Sequence, residues 1–183
     1  MRRRQWRGLR RSSEGSALLE FAIALPLLVV FLVGIYDFSG AFNQRQKIEH
    51  AAQMGAIVAG AQPTSDIYAG NGNPDSLQPV VTVIFNSLKA DGLITGGCTL
   101  PVTPTPNSGL SWTYTITGCP GNLTVTIDRG KVDPGVTAAV GTEVTVIYPY
   151  NWRFNSVIQL LIPGASYSAT TNLTETATVH NQT

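Results

Sequence analysis

The chain is expected to fold as an α+β protein with a long N-terminal helix, a second amphipathic helix and a small antiparallel sheet of three to four strands. Three observations predict this. Ser16 to Ile35 is a run of twenty residues whose only charge is Glu20. Helical periodicity continues beyond that run to about Gly60 and returns between Gln78 and Lys89. After Gly96 the pattern changes to short runs rich in Thr, Val, Tyr and Ile that alternate at period two, the spacing of a half-buried strand.

At about 1.5 Å rise per residue, a twenty-residue helix covers the roughly 30 Å hydrocarbon core of a bilayer. Residues 16–36 therefore read as one transmembrane helix in contact with lipid. An acidic side chain in such a helix costs on the order of 2.5–3.5 kcal/mol near the bilayer centre and less toward the surface. Glu20 has two explanations. It sits near the headgroups and reaches out to water, or it has a cationic partner. The residues before it supply one: a small residue, Gly15, separates an Arg-rich leader from the apolar run, as at a processing site. Cutting between Gly15 and Ser16 would free an α-amine one helical turn from the Glu20 carboxylate.

The leader also orients the helix. Arg2, Arg3, Arg4, Arg7, Arg10 and Arg11 are six of the twelve basic residues, and clustered Arg beside a span stays in the cytoplasm. The bulk of the chain would then face the periplasm. Without residues 1–15 the balance is six basic against ten acidic residues, about −4 in place of +1. Such a chain lacks the basic face that nucleic-acid binding requires, so no nucleic-acid partner is expected. A removable signal peptide is the alternative to an anchor, with Ser39 and Ala41 as the small residues before a cut that would leave Phe42 first.

These N-terminal residues resemble a known family. Gly15, then Glu20-Phe21 after four intervening residues, lying between a basic leader and an apolar helix, looks like the cleavage and assembly motif of type IV pilin-like proteins. More narrowly, RSSEGSALLEFAIALPLLVVFLVGIYDF is similar to the start of the TadE/TadG-like family, the minor pilins or pseudopilins of tight-adherence (Flp-type) pilus systems. The likeness covers about Arg10 to Gly60, with a looser echo at YPYNWRF near the C-terminus.

The resemblance implies a pilin-like fold, and cleavage after Gly15 by a dedicated prepilin peptidase on the cytoplasmic side of the bacterial inner membrane. It also implies pairing of Glu20 with the terminal amine of a neighbouring subunit, and a pilus assembly platform and other pilins as partners. Ser16 stands where major type IV pilins carry Phe, which fits the Tad branch and leaves methylation of the new terminus open. The division expected is a leader at 1–15, a span at 16–36, a periplasmic continuation of the helix at 37–61 and an extracytoplasmic domain at 62–183. A signal-anchored periplasmic binding domain unrelated to filaments is the competing function.

Beyond the span, Ile48, Ala51, Ala52, Gly55, Ala56 and Val58 fall on one helical face. That stripe of small residues suits either sister helices or the chain's own domain. Arg45 and Glu49 stand one turn apart as an exposed pair, and Pro26 should kink or loosen the helix. QPTSDIYAGNGNP, from Gln62 to Pro74, ends it. The second helix, Gln78 to Lys89, has Pro79 at a tolerated early position, Asp91-Gly92 closing it, and Val81, Ile84, Phe85 and Leu88 as its core face. Strands are expected at Trp112–Thr117, Leu123–Asp128, Glu143–Tyr148 and Ser166–Val179, with one sheet face on the helices and the other solvated.

Cys98 and Cys119 are the only cysteines, and outside the cytoplasm they are expected to be disulfide-bonded. Two cysteines and two separated histidines make a poor metal site, so neither a metal nor a cofactor is expected. His50 and His180 lack any nucleophile motif and read as solvated, and GNGNP is a turn rather than a phosphate cradle, so no catalytic residues and no enzyme activity are expected. Trp152, Phe154, Val157, Ile158, Leu160, Leu161 and Ile162 form an apolar segment without clean alternation. It either folds over the core or presents a surface to a partner pilin or the membrane.

Overall fold

One helix, α1, runs from Ser13 to Ala61 without interruption, 49 residues or about 74 Å. It is seen in a computed structural model that describes residues 13–68, 70–100, 102–119, 121–132, 140–154, 159, 164 and 170–182. Pro26 lies inside α1, and the helix continues through it. The leader arginines lie outside the described residues, as do Val157, Ile158, Leu160, Leu161 and Ile162 of the apolar segment and residues 166–169 of the last expected strand.

Burial divides α1 at Asp37. On the N-terminal side no described side chain is buried, whereas beyond it Ala41, Ile48, Ala51, Ala52, Ala56 and Ala59 enter the core at spacings of three, four and seven. The stripe of small residues thus packs on the chain's own domain, which resolves the two alternatives left by the sequence. Gly55 shows how close that packing is, since a Cβ there would stand 2.5 Å from Ile84 Cδ1 of the second helix.

That helix, α2, spans Gln78–Ala90, preceded by a single 3₁₀ turn at Asp75–Leu77. It ends as its sequence predicts. Gly92 adopts φ +71°, its N–H reaches the Lys89 carbonyl at 3.1 Å, and the Leu93 N–H reaches back to the Leu88 carbonyl at 3.0 Å. Those two bonds form a Schellman cap, which only a residue tolerant of left-handed backbone closes without strain.

The sheet has five strands in the order β1-β2-β3-β4-β5, all antiparallel. They are β1 (Thr105–Pro106), β2 (Ser111–Ile116), β3 (Leu123–Val132), β4 (Val140–Asn151) and β5 (Thr170–His180). The count exceeds the expected three to four because β1, two residues long, is too short to carry an alternating pattern. Two strands also outrun their expected ends. β3 passes Asp128 through an irregularity between Asp128 and Lys131 and re-pairs with β4 at Lys131–Gly141, so its full length depends on a partner rather than on local composition.

Alternation sorts the sheet faces as a one-sided antiparallel sheet requires. Trp112, Tyr114, Ile116, Leu123, Val125, Ile127, Val144, Val146 and Tyr148 face the helices and are buried. Threonines occupy the outer face, with hydroxyl contacts across strands at Thr113–Thr126 (3.0 Å) and Thr145–Thr176 (3.1 Å). The C-terminal half of α1 lies across β4 and β5 and beside α2.

One expected pair is replaced. Arg45 forms an ion pair with Glu175 on the inward face of β5, while Glu49 accepts a hydrogen bond from Gln53 at 3.4 Å. The tertiary partner is pre-positioned by the sheet, whereas an exposed i,i+4 pair offers only a few tenths of a kcal/mol to compete with it. Cys98 and Cys119 are disulfide-bonded with Cα atoms 4.8 Å apart, joining the loop after α2 to the β2–β3 turn. Gly97 (φ +117°) and Gly118 (φ +83°) precede them, and a Cβ at either would lie within 2.9 Å of the other's carbonyl oxygen, so the bridge needs both glycines.

Candidate functional site

The first turns of α1 carry the residues that the sequence singled out. Gly15, Ser16, Glu20 and Phe21 are all exposed. Four residues on a helix bring side chains to the same face, and here the Ser16 hydroxyl donates to Glu20 Oε1 at 3.2 Å. Phe21 is 62% exposed. Cys98 and Cys119 belong to the folded domain and take no part in this group.

Around these residues α1 is apolar on every side. Leu18, Leu19, Ile23, Leu27, Leu28, Phe31, Leu32 and Ile35 are each more than half exposed. So much bare apolar surface needs a non-aqueous neighbour, since each fully buried Leu, Ile or Phe gains about 1.5–3 kcal/mol over exposure to water. The helix is long and apolar enough to cross a membrane.

The domain is joined to this helix by a junction that the sequence did not reveal. Asp37, two residues after Ile35, is only 1% exposed. Its Oδ2 accepts the Phe154 N–H at 2.6 Å, and the Tyr150 hydroxyl donates to its backbone carbonyl at 3.0 Å. Tyr150 stands so close to α1 that a Cβ at Gly40 would lie 2.7 Å from its hydroxyl oxygen. Burial, then the charge of Asp37, pushes the Tyr150 hydroxyl pKa up. Gln44 adds a bond to the Pro149 carbonyl at 3.1 Å, and Lys47 one to the Asp91 carbonyl at 2.8 Å. The signal available for Asp37 was its position, a carboxylate directly after an apolar run and in need of donors once buried.

A second residue missed by the sequence sits at the other end of α1. Arg129 on β3 is 2% exposed and directs one guanidinium nitrogen to the Ala59 carbonyl and another to the Gln62 carbonyl at 3.0 Å. It satisfies carbonyls that a helix C-terminus leaves without partners and places a cation at the negative end of the helix dipole. Burial lowers its pKa and the charge of Asp66 opposes that. The clue was the alternation Leu123, Val125, Ile127, which carried one step further turns Arg129 inward.

His50 is exposed on α1 and His180 ends β5, paired in register with Gly141. Among the described residues, no group of three or more His, Cys, Asp or Glu is placed to hold a metal ion. What the first turns of α1 offer is a carboxylate on an apolar surface, close to a backbone nitrogen that a single peptide-bond cleavage would turn into a cation.

Residues 15–56 match the model of the TadE-like protein family. The match begins at Gly15, runs through Glu20, Phe21 and the exposed apolar turns, takes in Asp37 and stops within the buried stripe at Ala56. The sheet and α2 lie outside it. No curated protein and no solved structure matches the chain significantly.

Proposed function

We propose that this chain is a minor pilin or pseudopilin of a Tad-type pilus, a structural subunit rather than an enzyme. Prepilin peptidase removes residues 1–15 on the cytoplasmic side, and residues 16–36 hold the product in the bacterial inner membrane. Residues 37–61 continue the helix into the periplasm, where residues 62–183 fold upon it. The assembly platform then draws the subunit into a filament or priming complex with other pilins.

One observation carries this reading: in the TadE-like segment, Ser16 and Glu20 share a face of an unburied apolar helix, with their side chains 3.2 Å apart. After cleavage the Ser16 nitrogen becomes an α-ammonium. It meets the Glu20 carboxylate of its own helix or of a neighbour, offsetting the cost of that charge in lipid and fixing the axial register between subunits. Because Ala51, Ala52 and Ala56 are already committed to the domain core, subunit contacts fall to the apolar turns between Ser16 and Ile35.

The test is the intact mass of the full chain expressed with and without a prepilin peptidase. With the enzyme the mass should fall by residues 1–15 and the new terminus should be Ser16. An unchanged mass, or a terminus at Phe42, removes the pilin reading and leaves a tethered or secreted domain.

A further inference from the structure

Immediately above the apolar turns of α1, the end of β4 and the two residues after it lay two aromatic rings and a cation beside the helix. Trp152 packs edge-on against Phe38 of α1 at 5.4 Å between ring centres and against Tyr150 at 5.0 Å. Arg153 lies over the Tyr36 ring, 5.8 Å from its centre, and donates to the Tyr36 hydroxyl at 3.3 Å. Tyr36 and Phe38 remain 64% and 69% exposed. A cavity of about 870 Å³ opens between this corner and α1, and among the described residues its lining includes Lys47 and Arg153 but no Asp or Glu.

We propose that this corner is a seat for the headgroup of an anionic phospholipid in the periplasmic leaflet. The proposal rests on residues 16–36 spanning the membrane, and three physical points argue for it. Tyr36 directly follows Ile35, so the rings stand at the depth where Trp and Tyr favour the membrane–water interface. Arg153 is exposed and, among the described residues, lacks a carboxylate partner, the two ion pairs there using Arg45 and Lys131. Its planar fork of donors matches a phosphate group, and an uncompensated cation is attracted to an anionic lipid surface. The seat is braced from behind by Asp37, which holds the Phe154 N–H and so ties the backbone just after 152 and 153 to α1. A subunit drawn from the bilayer must give up this lipid, and the corner therefore retains unassembled subunits in the membrane with the domain held against its surface.

The experiment uses the full chain in vesicles of phosphatidylcholine alone or mixed with phosphatidylglycerol, carrying lipids brominated either near the headgroup or near the chain end. Tryptophan emission is read for the native chain and for Trp152→Phe, whose difference isolates Trp152. The shallow bromines should quench that component about twofold more than the deep ones, as an interfacial indole requires. Phosphatidylglycerol should increase the shallow quenching in the native chain and in Arg153→Lys, but not in Arg153→Gln. Near-ultraviolet circular dichroism checks that each variant is folded. Protein that carbonate strips from the vesicles overturns both the anchor and this proposal. Inserted protein whose Trp152→Phe quenching equals that of the native chain, or an Arg153→Gln that responds fully to phosphatidylglycerol, overturns the proposal alone.

Discussion

Arg129 carries its charge into a site that is 2% exposed, and what it meets there is the end of α1. The guanidinium fork serves the Ala59 and Gln62 carbonyls together, a geometry that no uncharged side chain of similar length reproduces. Arg129→Met should fill the space yet leave both acceptors stranded, lowering stability by about 2–4 kcal/mol, visible as an earlier urea midpoint of the full chain in detergent. Asp66 works beside it. Desolvation pushes the Asp66 carboxyl up, but the Ser76 N–H at 2.8 Å and further backbone donors outweigh that and hold it below the ordinary value of 3.8. A depressed folded pKa gives stability that is present above the unfolded value and lost as pH falls through the folded one. The native chain should therefore lose melting temperature more steeply than Asp66→Asn as pH drops below about 4, and parallel acid limbs would exclude Asp66 as the cause.

At the scale of elements, one tight constraint is the crossing of α1 and α2 at Gly55. An exposed helical Gly→Ala change usually gains up to about 1 kcal/mol. Here the new methyl would stand 2.5 Å from Cδ1 of Ile84, which is fully buried, so one of the two must shift. Gly55→Ala should instead destabilise by about 1–3 kcal/mol, measured by thermal unfolding, and a rise in melting temperature would mean that the helices separate freely. The elements themselves were largely legible in the residues. α2 is marked by Pro79, Asp91-Gly92 and its apolar face, and β2 to β4 by alternating Thr and Val. What stayed hidden depended on partners distant in sequence. Arg45 showed a neighbour at Glu49 and concealed one at Glu175. β3 seemed to stop at Asp128 because the strand beyond it holds by pairing with β4. In the candidate site, the spacing of Gly15, Ser16, Glu20 and Phe21 was visible, while Asp37 was not, since only the fold brings Tyr150 and Phe154 over it.

For the whole molecule, α1 belongs to two environments and contributes to each separately. From Ser16 to Ile35 none of its residues is buried, whereas from Ala41 onward it supplies core that α2 and the sheet cannot close without. Asp37 and Tyr150 fasten the boundary, and the C-terminus is tied to the far end of the helix, where the Gln182 N–H reaches the Gly60 carbonyl at 3.0 Å. Stability and assembly should therefore respond to different mutations. Glu20→Ala removes a carboxylate that makes no contact with the domain, so it should be cleaved, inserted and unfolded at the native temperature, within about 0.5 kcal/mol. If the proposed function holds, it should nevertheless leave cells without pili, because the α-ammonium of an arriving subunit would lose its acceptor. Ala52→Leu enlarges a fully buried position and should lower stability by about 1–3 kcal/mol, depleting pili only as far as it depletes folded protein. Electron microscopy of pili, set against the amount of folded subunit in the membrane, separates the two. Normal pili in Glu20→Ala would show that the carboxylate serves another purpose. A melting temperature that falls with it would show that the two halves of α1 are coupled after all.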